Sequence, residues 1–419
     1  MKKISMFVTL CFASVSISAQ NLDDVNKLLG NQKFAEAKAA IDKILADPKN
    51  ASKSDAWYFK GRAYNAYSYD KQITLTEKFD IKLAAFEAFK KVQELDTKDM
   101  RLKLENYLSY IDLYGGFYDV GANAFNEKNY DASLEAFKKT MEVEKYIQSK
   151  GYTYTDVKLH ALDTGLVLNT AIAAMQAKKI EEAVSYYRML TDANVSEKQY
   201  QEVYEYLVDY YSKKDDQANL QLMLQKGKTI YPESEFWTDV EVENVKKKGD
   251  KAALFAKYDD LITQYPTNFL LPYNYAIEMY NMLYVGDDKP ANADAQKLKL
   301  TEVLKKAIAN DKGIDASVLM TKHLYNVSSD LSVEVNKVKG TKPEDVKKKA
   351  DIAAKAKSAM NEFLSYGDKV IAFYEPQLQS LKPVQKATFK ELLTNMSEVY
   401  TYQKNAAKAA EMEKKKDAL

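Results

Sequence analysis

The sequence contains few of the residues that interrupt regular secondary structure. Thirteen glycines and eight prolines occur in 419 residues, whereas average usage would give about 12% for the pair. A β-sandwich or β-barrel needs turn residues every ~8–12 positions. This scarcity excludes an all-β class and favours long helices joined by short connections, so the sequence predicts an all-α fold.

Reactive and metal-binding side chains are equally scarce. The chain has one cysteine, Cys11, and two histidines, His160 and His323. Neither histidine has a partner at the spacing of a zinc motif, so we interpret both as surface or packing residues. No glycine-rich phosphate loop and no nucleophile elbow occurs. We therefore expect no catalytic residue, no metal site and no cofactor, and we predict that the protein is not an enzyme.

The charges nearly cancel, with 61 Lys and Arg against 60 Asp and Glu. A nucleic-acid-binding protein usually presents a basic surface, so nucleic acid is not an expected partner. Hydrophobic residues make up 46% of the chain and charged residues 29%, which is typical of a folded globular protein. No later segment reaches the ~20 consecutive apolar residues that cross a bilayer, so no transmembrane segment is expected.

Residues 1–19 have the pattern of a secretory signal peptide. Two lysines precede an apolar run over residues 6–15, and small residues follow up to Ala19, as such peptides require. We expect cleavage after Ala19 and export to the periplasm or the extracellular space. Cys11 lies within this segment, so we expect the mature chain to have no cysteine. Leu10 precedes Cys11 in the middle of the apolar run, so a lipid anchor is not expected either.

Two spacings recur along the rest of the chain. A small residue is followed by an aromatic residue 16 positions later, and a Tyr-Pro step is repeated after 34 positions. The first spacing occurs at Gly121 and Phe137 and at Ala171 and Tyr187, and the second at Tyr231-Pro232 and Tyr265-Pro266. Regular spacings of this length indicate a repeat architecture.

These positions resemble the tetratricopeptide repeat, a 34-residue pair of antiparallel helices. The first-helix pattern is clearest at Trp57, Gly61 and Tyr64, and the second helix resumes after an insertion at Ala85 and Phe89. The resemblance implies an exported bacterial protein built as an α-solenoid of tetratricopeptide-like helix hairpins. Small residues would let the two helices approach, and aromatic residues would fill the space between repeats.

The sequence predicts three regions. A signal peptide covers residues 1–19, and the tetratricopeptide-like repeat array covers residues 20–310. A helical C-terminal region covers residues 311–419 and ends in a polar helix that would cap the array. A solenoid needs such a cap because an exposed apolar end would aggregate.

The resemblance also implies a ligand-binding groove, because the first helices of successive repeats line a concave surface in that family. The predicted groove residues are Tyr58, Phe59, Arg62, Asn65, Tyr118, Asp119, Asn169, Ile172, Tyr206, Asp209, Tyr273 and Asn274. The family often uses Asn at the positions of Asn169 and Asn274 to hold a peptide backbone. Acidic residues such as Asp119 replace the basic clamp for a C-terminal carboxylate, so recognition of a carboxyl terminus is not expected.

Two functions are consistent with these observations. The first is an exported, non-enzymatic helical-repeat scaffold that binds a protein or peptide partner in the cell envelope. The alternative is a glycan-binding component of an outer-membrane nutrient uptake system, in which Trp57 and Trp237 would stack on sugar rings. The missing lipidation cysteine counts against the alternative.

Overall fold

The computed structural model describes residues 21–155, 157–286 and 290–419. Within these ranges the chain forms twenty α-helices and no β-strand, which confirms the predicted all-α fold. The predicted signal peptide lies outside the described residues. None of the described helices combines the length and the apolar character needed to cross a membrane.

The helices fall into two compact units, the first ending at Ser234 and the second beginning at Glu235. The first unit contains α1 (Leu22–Gly30), α2 (Phe34–Leu45), α3 (Pro48–Ala51), α4 (Ser54–Tyr67), α5 (Leu75–Leu95), α6 (Met100–Leu104), α7 (Leu108–Asn126), α8 (Tyr130–Lys150), α9 (Thr164–Gln176), α10 (Ile180–Asp192), α11 (Gln201–Lys213) and α12 (Gln217–Ile230). The second contains α13 (Phe236–Lys246), α14 (Lys251–Gln264), α15 (Leu270–Tyr280), α16 (Ala293–Asn310), α17 (Asp315–Lys337), α18 (Pro343–Tyr374), α19 (Pro383–Tyr402) and α20 (Ala406–Asp417). The end of the repeat array near residue 310 stays a prediction.

The first unit is a stack of helix hairpins. Helix α4 packs on α5, α7 on α8, α9 on α10 and α11 on α12. The second helix of each pair also contacts the first helix of the next, as α5 contacts α7 and α8 contacts α9. Lys128 and Lys178 both adopt a φ of 61° in the short turns that close two of the hairpins. Contacts between successive hairpins are the arrangement expected of an α-solenoid.

Two glycines of the first unit each contact an aromatic ring on the second helix of the same hairpin. A Cβ atom on Gly121 of α7 would lie 2.7 Å from the Phe137 ring of α8. A Cβ atom on Gly61 of α4 would overlap the ring of Phe89 on α5. Each glycine therefore provides the space that an aromatic ring occupies. The close approach at the small residues was predicted, but each of these two rings lies within one hairpin rather than between repeats.

We expect Gly121→Ala to lower the free energy of unfolding by about 1–3 kcal/mol, because the new methyl group would crowd Phe137 in a close-packed interior. Gly115 lies on the same helix, but no atom lies within 4 Å of the position its Cβ would take. Gly115→Ala should therefore raise stability by about 0.5–1 kcal/mol through helix propensity. Urea denaturation measures both values, and equal losses in the two variants would contradict the packing at Gly121.

Both Tyr-Pro steps end a helix, as their spacing predicts. Tyr231 follows the last residue of α12 and donates its backbone N–H to Gly227 O at 2.7 Å. Tyr265 follows α14 and donates its backbone N–H to Leu261 O at 2.8 Å. The proline that comes next has no N–H and disfavours a helical residue before it, so neither helix continues.

The second unit has its own apolar core, formed by residues of α13–α20. His323 is fully buried there, between the Tyr284 hydroxyl at 3.0 Å from Nδ1 and Thr301 Oγ1 at 2.8 Å from Nε2. Burial lowers the pKa of His323 to about 4, so the ring is a neutral packing residue near pH 7. His160 is exposed.

Candidate functional site

Three clefts follow one another along α7 in the first unit, and we call them together the α7 groove. The first cleft, of about 300 Å³, is lined by Leu29, Phe34, Arg62, Asn65, Ala66, Glu105, Leu108, Ser109 and Asp112. The second, of about 340 Å³, is lined by Tyr114, Gly115, Tyr118, Asp119, Asp163, Gly165 and Leu166. The third, of about 190 Å³, is lined by Tyr118, Ala122, Phe125, Asn126, Phe137, Asn169 and Ile172. Helix α4 borders the first cleft, and α9 borders the other two.

A hydrogen-bond network lies at the first cleft. Asn65 donates from Nδ2 to Asp112 Oδ2 and accepts from Lys82 Nζ at 3.1 Å. The Tyr69 hydroxyl donates to the other Asp112 oxygen at 2.9 Å. Lys82 Nζ also lies 4.0 Å from the centroid of the Tyr69 ring. The network fixes the carboxylate of Asp112 at the cleft wall from two sides.

Lys82 is an unusual member of this network because its side chain is only 2% exposed. Burial lowers its pKa from 10.5 to about 8, and the negative charges of Asp112 and Asp119 limit the shift. Gly116 makes room for the amine, since a Cβ atom there would collide with Lys82 Nζ. The amine is therefore enclosed by protein and positions Asn65 rather than contacting a ligand.

A second set of hydrogen bonds holds Asp163, one of the acids that line the second cleft. The Tyr114 hydroxyl donates to Asp163 Oδ2 at 2.7 Å, and the backbone N–H of Leu166 donates to Oδ1 at 2.9 Å. Asp163 thereby caps the N-terminus of α9. Burial, together with the charge of Asp163, raises the pKa of Glu144 on α8 to about 7. Near neutral pH, Glu144 is therefore partly protonated.

The third cleft begins at Tyr118, which it shares with the second. Asn169 on α9 donates from Nδ2 to the Tyr118 hydroxyl at 3.0 Å. The Tyr118 ring packs on Phe137, with 5.5 Å between the ring centroids. Asn169 and Ile172 are both partly exposed. An amide, a phenol and an aliphatic side chain therefore meet in one cleft.

The structure brings half of the predicted groove residues together. The residues that line the α7 groove are Arg62, Asn65, Tyr118, Asp119, Asn169 and Ile172. Their helices are the first helices of three successive hairpins, α4, α7 and α9. The role of these residues in binding a ligand stays a prediction.

Tyr58 and Phe59 were predicted in the groove, but this assignment is wrong, because they are only 7% and 5% exposed. Tyr58 lies one helical turn before Gly61 and shares its packing face, with its ring centroid 6.4 Å from that of Phe89. Its hydroxyl donates to Glu105 Oε2 at 2.9 Å. Both side chains belong to the apolar core of the first unit.

The remaining predicted residues lie outside the three clefts. Tyr206 packs among tyrosines of α10 and α11. Asp209 is paired with Lys213 Nζ at 2.6 Å. Tyr273 and Asn274 belong to α15 in the second unit, where Tyr273 is partly buried and Asn274 is exposed. A role for these four residues in ligand binding stays a prediction.

The two tryptophans proposed as sugar platforms are engaged in the fold. Trp237 is 1% exposed, so its ring has no face open to a ligand. Trp57 is partly buried and donates its indole N–H to Ala51 O at 2.9 Å. Stacking on sugars requires an exposed aromatic face, so the part of the glycan hypothesis that depends on Trp237 is wrong.

Sequence reasoning missed several residues of the groove. Asp112 stands seven residues before Asp119, which places both on one face of α7, and this spacing could have identified Asp112. Lys82 shares a helical face with the buried Phe86 and Phe89, which could have marked it as a lysine in the core. Nothing in the local sequence indicates that Asp163 would meet α7.

Comparisons with known proteins give remote similarity only. No protein-family model matches the sequence, and no curated protein matches it. A TPR repeats protein from Bacteroides fragilis has 15% sequence identity and a TM-score of 0.28, with 67% of this chain and 97% of that chain covered. A tetratricopeptide repeat protein from Parabacteroides merdae has 14% sequence identity and a TM-score of 0.27. The alignment covers 80% of this chain and 99% of that chain. Overlap at this level does not assign the chain to a family.

Proposed function

We propose that the protein is a non-enzymatic scaffold whose first unit binds an extended segment of a protein partner in the α7 groove. The observation that carries the proposal is the succession of three clefts bordered by first helices of consecutive hairpins. Helix α7 has 19 residues, so it is about 28 Å long. That length matches about eight residues of extended peptide.

The polar groups of the groove suit a peptide main chain. Asn169 has an amide that can both donate and accept, and Tyr118 and Ser109 present hydroxyl groups. Asp112 and Asp163 are held in place by hydrogen bonds from Tyr69 and Tyr114. A site fixed in this way loses little side-chain entropy when a peptide binds.

Gly115→Trp tests the proposal because Gly115 lines the second cleft and has open space at its Cβ position. We expect the indole to fill the cleft without disturbing the core, and to abolish recovery of crosslinked partners from cells. Gln221→Trp is the matched control, since Gln221 is exposed on α12 of the same unit. Crosslinking and mass spectrometry compare the two variants with the wild type. Equal recovery from all three proteins would exclude the groove as the binding site.

We also infer that the protein is exported, on the strength of the signal-peptide pattern in residues 1–19. The protein isolated from its source cells should begin at Gln20, as determined by mass spectrometry of the intact chain. Deletion of residues 2–19 should leave the protein inside the cell. An intact N-terminus on the exported protein would contradict cleavage after Ala19.

A further inference from the structure

The α7 groove contains carboxylates that form no salt bridge with a described residue. Glu105, Asp112, Asp119 and Asp163 line the first two clefts, and none of them forms an ion pair with a described residue. Acids on the other faces of the first unit are commonly paired with lysines one helical turn away. Examples are Asp42 with Lys38, Glu87 with Lys90, Glu94 with Lys91 and Glu142 with Lys139.

The groove supplies little positive charge of its own. Arg62 is the exposed cation among the described residues that line the clefts, and its guanidinium lies 5.9 Å from the Tyr58 ring centroid. Lys82 is enclosed and hydrogen-bonded to Asn65. Asp119 is the most available acid, because its carboxylate makes no hydrogen bond with the described residues. The groove therefore has a net negative charge that a ligand can neutralise.

An apolar surface adjoins these acids at the first cleft. Leu108 is 54% exposed and lines the cleft, together with Leu29 and Phe34. Leu104, which ends α6, is 79% exposed. Large apolar side chains exposed beside a cleft commonly mark a binding surface. The surface therefore offers burial to one apolar side chain of a ligand and charge pairing to its neighbours.

We infer that the occupant of the α7 groove is a basic peptide segment in extended conformation. This inference rests on the proposed function and specifies its partner. Asp112 and Asp119 are seven residues apart on α7, about 10 Å, which corresponds to three residues of extended chain. Side chains of an extended chain alternate between its two faces, so two basic residues must be two or four positions apart to point to α7 together. Long Lys or Arg side chains at such positions would reach both acids, and an apolar residue about two positions from the first of them would reach Leu108.

A peptide cation fits these acids better than a metal ion does. The described residues contain no group of three or more His, Cys, Asp or Glu side chains arranged to hold a metal. The acids are instead spread along two helical turns of α7 and the start of α9. Charge distributed in a line matches side chains that project at intervals from one strand of peptide.

Selection from a random twelve-residue peptide library on phage tests both that the α7 groove binds a peptide and that this peptide is basic. The purified mature chain is the bait, and the Gly115→Trp variant is used for counter-selection. We expect basic peptides to be enriched on the wild type and lost on Gly115→Trp. Acidic or neutral peptides that are lost on Gly115→Trp would overturn the charge inference and leave groove binding intact. Enrichment that is absent, or is unchanged by Gly115→Trp, would overturn both.

Two substitutions then test whether the negative charge of the groove drives binding, one that removes a negative charge and one that removes a positive charge. The ligand is one synthetic peptide that carries a leucine and two lysines at the spacing given above. Fluorescence anisotropy should show about fivefold weaker binding to Asp119→Asn and tighter binding to Arg62→Gln. Glu135→Gln is the control, because Glu135 is on α8 and paired with Lys138 at 3.1 Å, and binding should not change. Weaker binding to Arg62→Gln, or binding that does not weaken with added salt, would overturn the inference.

Discussion

Phe89→Ala is expected to lower the free energy of unfolding of the first unit by about 3–5 kcal/mol. The Phe89 side chain is 0% exposed and packs against Gly61 across the α4–α5 hairpin. Its ring also meets the ring of Tyr110 on α7, with 5.9 Å between the centroids. Removing it leaves a cavity where two hairpins join. Urea denaturation followed by far-ultraviolet circular dichroism measures the loss.

The same contact predicts that substitutions at Gly61 and Phe89 are not additive. Gly61→Ala alone should cost about 1–3 kcal/mol, because its Cβ would overlap the Phe89 ring. In the Phe89→Ala background that methyl group enters the vacated space, so the double variant should be at least as stable as Phe89→Ala alone. Gly115→Ala, which meets no atom within 4 Å, should have the same effect in both backgrounds. Strictly additive losses would show that Gly61 and Phe89 do not share one packing site.

The fold could be predicted from the sequence wherever the determining contact recurs at a fixed interval. Gly121 is such a position, because it receives the ring of Phe137, 16 residues later, from the second helix of its own hairpin. Gly61 receives the ring of Phe89 in the same way, but an insertion makes that interval longer. Tyr231 and Tyr265 are also such positions. A helix ends at each of them because the next residue is a proline. The division after Ser234 was not predictable, because no change in residue spacing or composition marks it.

The site was harder to predict, since its contacts join residues far apart in the chain. Asn65 and Asp112 are 47 residues apart, and their hydrogen bond depends on how two hairpins stack. Burial of Tyr58 reverses its predicted role, because an aromatic residue beside Gly61 can point either to the groove or to the core. Asp119 is exposed in the second cleft, on the helical face that it shares with Asp112, and its role in binding stays a prediction.

Lys82→Met should make the protein more stable at pH 7, by about 2 kcal/mol. The folded protein lowers the Lys82 pKa from 10.5 to about 8, and a pKa change of this size means that burial costs the charged amine about 3 kcal/mol. Loss of the hydrogen bond to Asn65 offsets about 1 kcal/mol. Between pH 8 and 10.5 the unfolded chain binds more protons at this site than the folded protein, so wild-type stability rises with pH across that window. Urea denaturation of both proteins at pH 7, 8, 9 and 10 should show the advantage of Lys82→Met disappearing.

Lys90→Met is the matched control for this titration, because Lys90 lies on the same helix and pairs with Glu87 at 3.1 Å. Its effect on stability should not change between pH 7 and 9. A difference between wild type and Lys82→Met that is also constant over that range would show that Lys82 is not held in a desolvated position. The substitution bears on binding as well, since Asp112 and Asp119 lose a positive charge that interacts with them. Lys82→Met should therefore bind a basic peptide more tightly than the wild type, although its side chain does not reach the cleft.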